Sequence, residues 1–129
     1  MEIELILMRQ LASYLTLPIF VVGSEGNLLY YNEAAATHLG RRFEEAGEMP
    51  LKELSRIFSI TRADGTPFPE DQFPLTVAIE HRHPKHDTVR FQSLDGVDHL
   101  IEVTAIPLEG HGGRHVGAVA IFWDGSHGQ

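Results

Sequence analysis

Leu17-Pro18-Ile19-Phe20-Val21-Val22, then Ser24-Glu25-Gly26-Asn27, then Leu28-Leu29-Tyr30-Tyr31-Asn32-Glu33-Ala34-Ala35: this stretch decides how the chain is read. Pro18 ends any helix arriving from upstream, because its ring fixes φ and clashes with the preceding turn. Ile19 to Val22 is a β-branched and aromatic run, the composition of a strand. Ser24 to Asn27 is turn chemistry, and Leu28 to Tyr31 returns as the second strand of a hairpin. Asn32 then stands where a helix begins. Its side-chain oxygen can accept a backbone N–H of the first turn, and Glu33 suits the positive end of the helix dipole. Gly40 closes that short helix.

Working outward, Glu2 to Tyr14 lacks Pro and Gly and reads as a helix. Its apolar residues cover more than one stripe, so two of its sides should be buried. Downstream, residues 41–50 read as a polar loop, Leu51 to Phe58 as a short helix and Leu75 to Glu80 as another. Asp64-Gly65 marks a turn between them, and Pro67, Pro69 and Pro74 break up the chain before the second helix. Three strands follow, Asp87 to Gln92, His99 to Leu108 and Val116 to Trp123, separated by Asp95-Gly96 and by Gly110 to Gly113. Two strands, short helices and a three-strand meander predict an α+β domain with one antiparallel sheet.

Both faces of that sheet should be covered. In the last strand Val116, Ala118, Ala120 and Phe122 point one way, and Gly117, Val119, Ile121 and Trp123 point the other. A sheet with one wet face alternates apolar with polar. The short helices can cover one face; the N-terminal helix or a second subunit must cover the other.

Composition narrows the function. The chain has 129 residues, 43% hydrophobic, enough for one domain with a core. Its net charge is −8, with no basic cluster beyond Arg41-Arg42, so neither nucleic acid nor an anionic membrane surface is an expected partner. There is no cysteine, which removes disulfides, thiolate nucleophiles and cysteine-ligated metals and fits a cytoplasmic protein. The N-terminus carries Glu2, Glu4 and Arg9 within its apolar run and shows neither a membrane span nor a signal peptide.

The order of these motifs resembles the PAS family. The hairpin ending in Tyr30-Tyr31-Asn32-Glu33-Ala34-Ala35 is similar to the family's opening hairpin and its Asn-x-Ala helix start. Ala63-Asp64-Gly65-Thr66-Pro67 is similar to a common bacterial middle segment. Asp95-Gly96, Ile106-Pro107-Leu108, Val116-Gly117-Ala118-Val119 and Phe122-Trp123-Asp124 resemble its closing strands. The resemblance implies a five-stranded antiparallel sheet in the order 2-1-5-4-3, with helices enclosing a cleft on one face. It divides the chain into a flanking helix (1–16), a core (17–124) and a polar tail (125–129). It implies a sensory or regulatory module without catalysis, dimeric, and attached to an effector such as a kinase or a DNA-binding regulator. The chain departs from the family in two places. Tyr31 replaces a small residue before the Asn, and Asp124-Gly125-Ser126 replaces the usual Asp-Ile-Thr lead into a linker helix.

By the same alternation, Ile19, Val21, Val89, Phe91, Ile101, Val103, Ala105, Val116, Ala118, Ala120 and Phe122 face the cleft. With Tyr31 these make two readings available: an apolar pocket for a small ligand beside Ala118 and Ala120, or a filled core and a ligand-free interaction module. Flavin is not expected. The family's flavin-bonding polar positions fall on Phe91, Ile101 and Phe122, and the photoactive cysteine is absent. The outer face, Leu100, Ile106, Val119, Ile121 and Trp123, with Leu7 and Leu11 of the N-terminal helix, is the expected homodimer interface. His81, His83 and His86 have the spacing of metal or haem ligands, but such spacing also fits a solvated helix end, and no metal or haem is assigned. No serine sits in a nucleophile elbow, and Glu102 falls on the outer face, away from the cleft.

Overall fold

The computed structural model describes residues 3–125. Glu2, at the start of the expected first helix, and residues 126–129 of the expected tail lie outside the described residues. Helix α1 spans Ile3–Tyr14. Pro18 follows it, and the opening hairpin is β1, Ile19–Gly23, and β2, Asn27–Tyr31. Gly26 turns the chain with φ +85, a conformation that side chains with a Cβ resist. Short helices α2 (Glu33–Leu39), α3 (Phe43–Ala46), α4 (Leu51–Ile57) and α5 (Pro74–His81) follow. Two two-residue strands, β3 (Met49–Pro50) and β4 (Thr61–Arg62), lie among them. The meander is β5 (Lys85–Gln92), β6 (Asp98–Glu109) and β7 (His115–Asp124).

All strands form one sheet in the order β3-β2-β1-β7-β6-β5-β4. Its five long strands have the expected 2-1-5-4-3 order, but the sheet has seven strands rather than five. The additional pair caps the two edges: Met49 and Pro50 pair with Leu28 and Asn27, and Thr61 and Arg62 pair with Arg90 and Val89. Two residues carry no readable alternation, and Pro50 is tolerated because it sits on an edge. The expected loop over 41–50 also contains α3. A single turn that buries only Phe43 has no periodicity to detect.

The two faces carry two apolar cores. The inner one joins Val22, Leu28, Tyr31, Phe91, Ile101 and Phe122 to the short helices. The outer one packs Leu5 and Ala12 of α1 on Ile19, Val21 and Val119. Ile19 and Val21 were expected in the cleft; they lie on the outer face instead. The β1–β7 register pairs Ile19 with Ile121, Phe20 with Ala120 and Val21 with Val119, so Phe20 and Val22 face inward. A four-residue run without a polar residue does not reveal its own phase. Val116 is also displaced from the cleft. β6 and β7 pair Leu108 with Gly117 and Glu109 with His115, which leaves Val116 as a bulge residue, and it lies in a surface hollow beside Leu5 and Leu29.

Asn32 ties these parts together. It is 1% exposed. Its Oδ1 accepts the Ala35 N–H at 3.1 Å as the N-cap of α2, and the Ile19 N–H at 3.1 Å. Its Nδ2 donates to the carbonyls of Ala12 at 2.9 Å and Leu17 at 2.8 Å. One amide thus holds the end of α1, the start of β1 and the start of α2.

Candidate functional site: an apolar cavity beside a histidine cleft

The inner face of the sheet and the short helices enclose a cavity of about 80 Å³. The sheet supplies Phe20, Val89, Phe91, Ile101, Val103, Ala120 and Phe122. Opposite stand Leu39 of α2, Leu51 and Leu54 of α4, Phe58 and Ile60 beyond it, and Phe73 to Leu75 at the start of α5. Every lining side chain is apolar. Phe91 and Phe122 stand 6.3 Å apart, and Phe20 lies 5.5 Å from Phe122. Such a wall can desolvate an uncharged molecule but offers a polar group no partner, and a buried unpaired polar group costs about 1–3 kcal/mol.

Of the residues expected in the cleft, Val89, Phe91, Ile101, Val103, Ala120 and Phe122 line the cavity. Ala105, Ala118 and Tyr31 do not; Ala105 is packed within the inner core. Ala118 is fully buried against Val22, its cross-strand partner, in the inner core. Tyr31 packs edge-on to Phe43 at 5.5 Å and to Phe20 at 5.7 Å, and its hydroxyl donates to the Arg41 carbonyl at 2.6 Å. Burial pushes its phenol up to about 12, against the pull of Arg41. Phe20 escaped notice because its strand was phased one residue out. The helical wall escaped notice because Leu39, Leu54 and Phe58 sit in elements too short to show a face.

A second space, an open cleft of about 600 Å³, adjoins the first. It is bordered by Thr37, His38, Arg90, Asp98, His99 and Asp124, and Ile101 lines both spaces. His99 stacks on the cavity wall Phe91 at 4.7 Å and 10° between planes, and His38 meets Phe122 edge-on at 5.3 Å. The two imidazoles are 6.1 Å apart.

The outer face is divided. α1 covers Val119 and packs on Ile121, so these two expected interface residues are occupied by the chain's own helix. Arg9 lies 4.7 Å above the Tyr30 ring, and Glu4 pairs with Arg114 at 3.5 Å, which fixes α1 on the sheet. Leu7 and Leu11 point away from the sheet and are 56% and 51% exposed. Ile106 and Trp123 are 39% and 42% exposed, and Leu100 is half-buried at the rim of the cleft.

His81, His83 and His86 do not converge. The rings of His81 and His83 are 6.0 Å apart at the end of α5. His86 is on the outer face, where Nε2 donates to Glu102 Oε1 at 2.7 Å and Nδ1 meets Thr104 Oγ1 at 2.7 Å. Among the described residues no group of three or more potential ligands is placed to hold a metal ion. None of their helices is long and apolar enough to cross a membrane.

A family profile for the PAS domain matches residues 16–126. Among solved structures, the chain is similar to the PAS domain of a protein from Colwellia psychrerythraea, at 22% identity and TM-score 0.65, covering 94% of this chain and 96% of that one. It is similar to the PAS domain of Bordetella pertussis BvgS, at 20% identity and TM-score 0.57 over 94% and 84% of the two chains. It is also similar to the PAS domain of nitrogen regulation protein NR(II) from Vibrio parahaemolyticus, at 16% identity and TM-score 0.62 over 92% and 97%. No curated protein sequence matches. The sheet order, the cavity between sheet and helices, and a profile that spans most of the sequence agree: this chain belongs to the PAS domain family.

Proposed function

We propose that this chain is a cytoplasmic sensory module of a signal-transduction protein, that it binds a small apolar molecule in the cavity, and that it catalyses nothing. The observation that carries this reading is the cavity wall: it is apolar throughout and has room beside Ala120. The same wall argues against flavin or haem, whose polar or metal centres need partners that it lacks. The ligand would bias the placement of α4, which lines the cavity with Leu51 and Leu54, and of α1, which is held to the core through Asn32. The exposed stripe of α1 with Leu7 and Leu11, together with Trp123 and Ile106, suits a second copy of the chain, and the module acts on an effector domain or a partner protein. Neither nucleic acid nor a membrane is a partner in this reading.

A second reading is favoured by one number. The cavity is about 80 Å³, whereas drug-sized ligands occupy roughly 300–1,000 Å³. On that reading the inner core is filled and the domain is a ligand-free interaction module.

Native mass spectrometry of gently purified protein tests the pair. A dimer carrying extra mass that is lost on denaturation supports the sensor. A bare dimer whose mass is unchanged by added apolar compounds supports the interaction module.

A further inference from the structure

The cavity alone cannot orient a ligand, because it offers no polar contact. Two imidazoles, those of His38 and His99, pack against its walls Phe122 and Phe91, and their surroundings fix their tautomers. His38 Nδ1 lies 3.1 Å from the Ala34 carbonyl. A carbonyl only accepts, so Nδ1 carries the proton and Nε2 keeps its lone pair. His99 Nε2 lies 3.2 Å from Ser93 Oγ. Ser93 Oγ gives its own proton to Asp95 Oδ1 or to the Val97 carbonyl, both acceptors. It therefore receives the His99 Nε2 proton, and His99 Nδ1 keeps its lone pair. The two lone pairs have no partner among the described residues, and both rings border the open cleft.

With both imidazoles neutral, the pair thus presents two acceptors and no donor. The charged groups around it are Arg90, Asp98 and Asp124 at the cleft and Asp95 behind His99. Arg90 is already engaged, since its Nε and Nη2 donate to the Ala63 carbonyl. An anionic head group would meet two lone pairs beside the Asp98 carboxylate, against the charge of Arg90, whose Nε and Nη2 already donate to Ala63. A donor would be met by two acceptors. A molecule seated over Ile101, which lines both spaces, has the phenylalanine-walled cavity on one side and the imidazoles on the other.

We propose that His38 and His99 form the polar end of the ligand site, and that the ligand is a small neutral ring or alkyl chain carrying one hydrogen-bond donor, of the phenol or alcohol class. This rests on the reading of the cavity as a ligand site. The cavity is smaller than the roughly 150 Å³ that holds a benzene. A one-ring ligand therefore enters with outward displacement of its wall, and α4, a short helix that lines the cavity with Leu51 and Leu54, is the part of the wall that moves.

The test is an NMR titration of the protein with phenol, fluorobenzene and benzoate, which share a ring and differ in a donor, a weak acceptor and a carboxylate. Phenol is expected to bind at least fivefold more tightly than fluorobenzene, and benzoate more weakly than either. In His38→Leu the phenol and fluorobenzene affinities should come within twofold of each other; His99→Leu should act alike if the first variant does not fold. Fluorobenzene binding as tightly as phenol, or benzoate binding better, overturns the donor assignment and leaves the cavity reading standing. If none of the three binds, the cavity reading fails and this one fails with it.

Discussion

Replacing Asn32 should dismantle the junction between the flanking helix and the core. In Asn32→Ala the N-cap of α2 is lost, which costs about 1 kcal/mol. The Ile19 N–H and the carbonyls of Ala12 and Leu17 also lose the partner they share. Each such group left unpaired costs about 1–3 kcal/mol, with the low end applying where water can reach. Near the low end the sum is about 4–5 kcal/mol, a large part of the stability of a small domain. At about 4 °C per kcal/mol for a chain of this size, the Tm should fall by about 16–20 °C. Two companions isolate the cause. Asn32→Ser keeps a capping oxygen and should recover about 1 kcal/mol. Asn32→Asp keeps both accepted bonds but sets a carboxylate against two carbonyls, so it should be no more stable than Asn32→Ala at pH 7. Differential scanning calorimetry with urea unfolding reads all three. A fall in Tm of less than 3 °C for Asn32→Ala, or wild-type stability for Asn32→Asp, would refute the argument.

Three further outcomes follow from the same geometry. Gly117 has φ +152, and a Cβ built there would stand 2.1 Å from the Val22 carbonyl oxygen, so Gly117→Ala should prevent folding or separate β1 from β7, as circular dichroism would show. A native thermal transition for that variant would contradict the strand register. Burial raises the Tyr31 phenol to about 12 and raises Tyr30 as well. A raised folded-state value means that stability is intact below about pH 10, the unfolded value, and is lost as pH rises toward 12. Tyr31→Phe should therefore flatten, without abolishing, the alkaline limb of a Tm-against-pH curve; an unchanged limb would contradict this. Leu7→Glu and Trp123→Glu each place a charge on the proposed interface, while the wild-type residues are exposed within one chain. Sedimentation velocity should show folded monomer for both variants and dimer for the wild type, and an intact dimer in either variant removes that residue from the interface.

The elements that sequence made legible share a cause. Asn32, Gly40 and Pro18 act through local chemistry, and each stands where its chemistry predicts: the N-cap of α2, its left-handed C-cap and the break after α1. The face assignment of β5, β6 and β7 was legible because polar residues on β5 and β6, Thr88, Arg90 and Glu102, mark one side and fix the phase of their neighbours. The face of β1 was not, since Ile19 to Val22 contains nothing polar and its phase comes only from pairing with β7. The bulge at Val116 was hidden for a related reason: it depends on how β6 and β7 close, and Gly117 signals it only once Val22 is seen beside it. The spacing of His81, His83 and His86 suggested a cluster. A helix end followed by a strand sends His86 to the outer face, so sequence proximity did not become spatial proximity. The pair that does meet, His38 and His99, lies 61 positions apart in sequence and is joined only by the tertiary fold.

The central claim, that the apolar cavity is a ligand site, is tested most directly by methyl-labelled NMR during titration with toluene. The methyl groups of Val89, Ile101 and Val103 line the cavity, and those of Val119 and Ile121 lie beneath α1. The account predicts saturable shifts at the first set with little change at the second, and their loss in Ala120→Leu, whose added carbons occupy the space. Shifts that never saturate, that spread equally over both faces, or that persist in Ala120→Leu would contradict it.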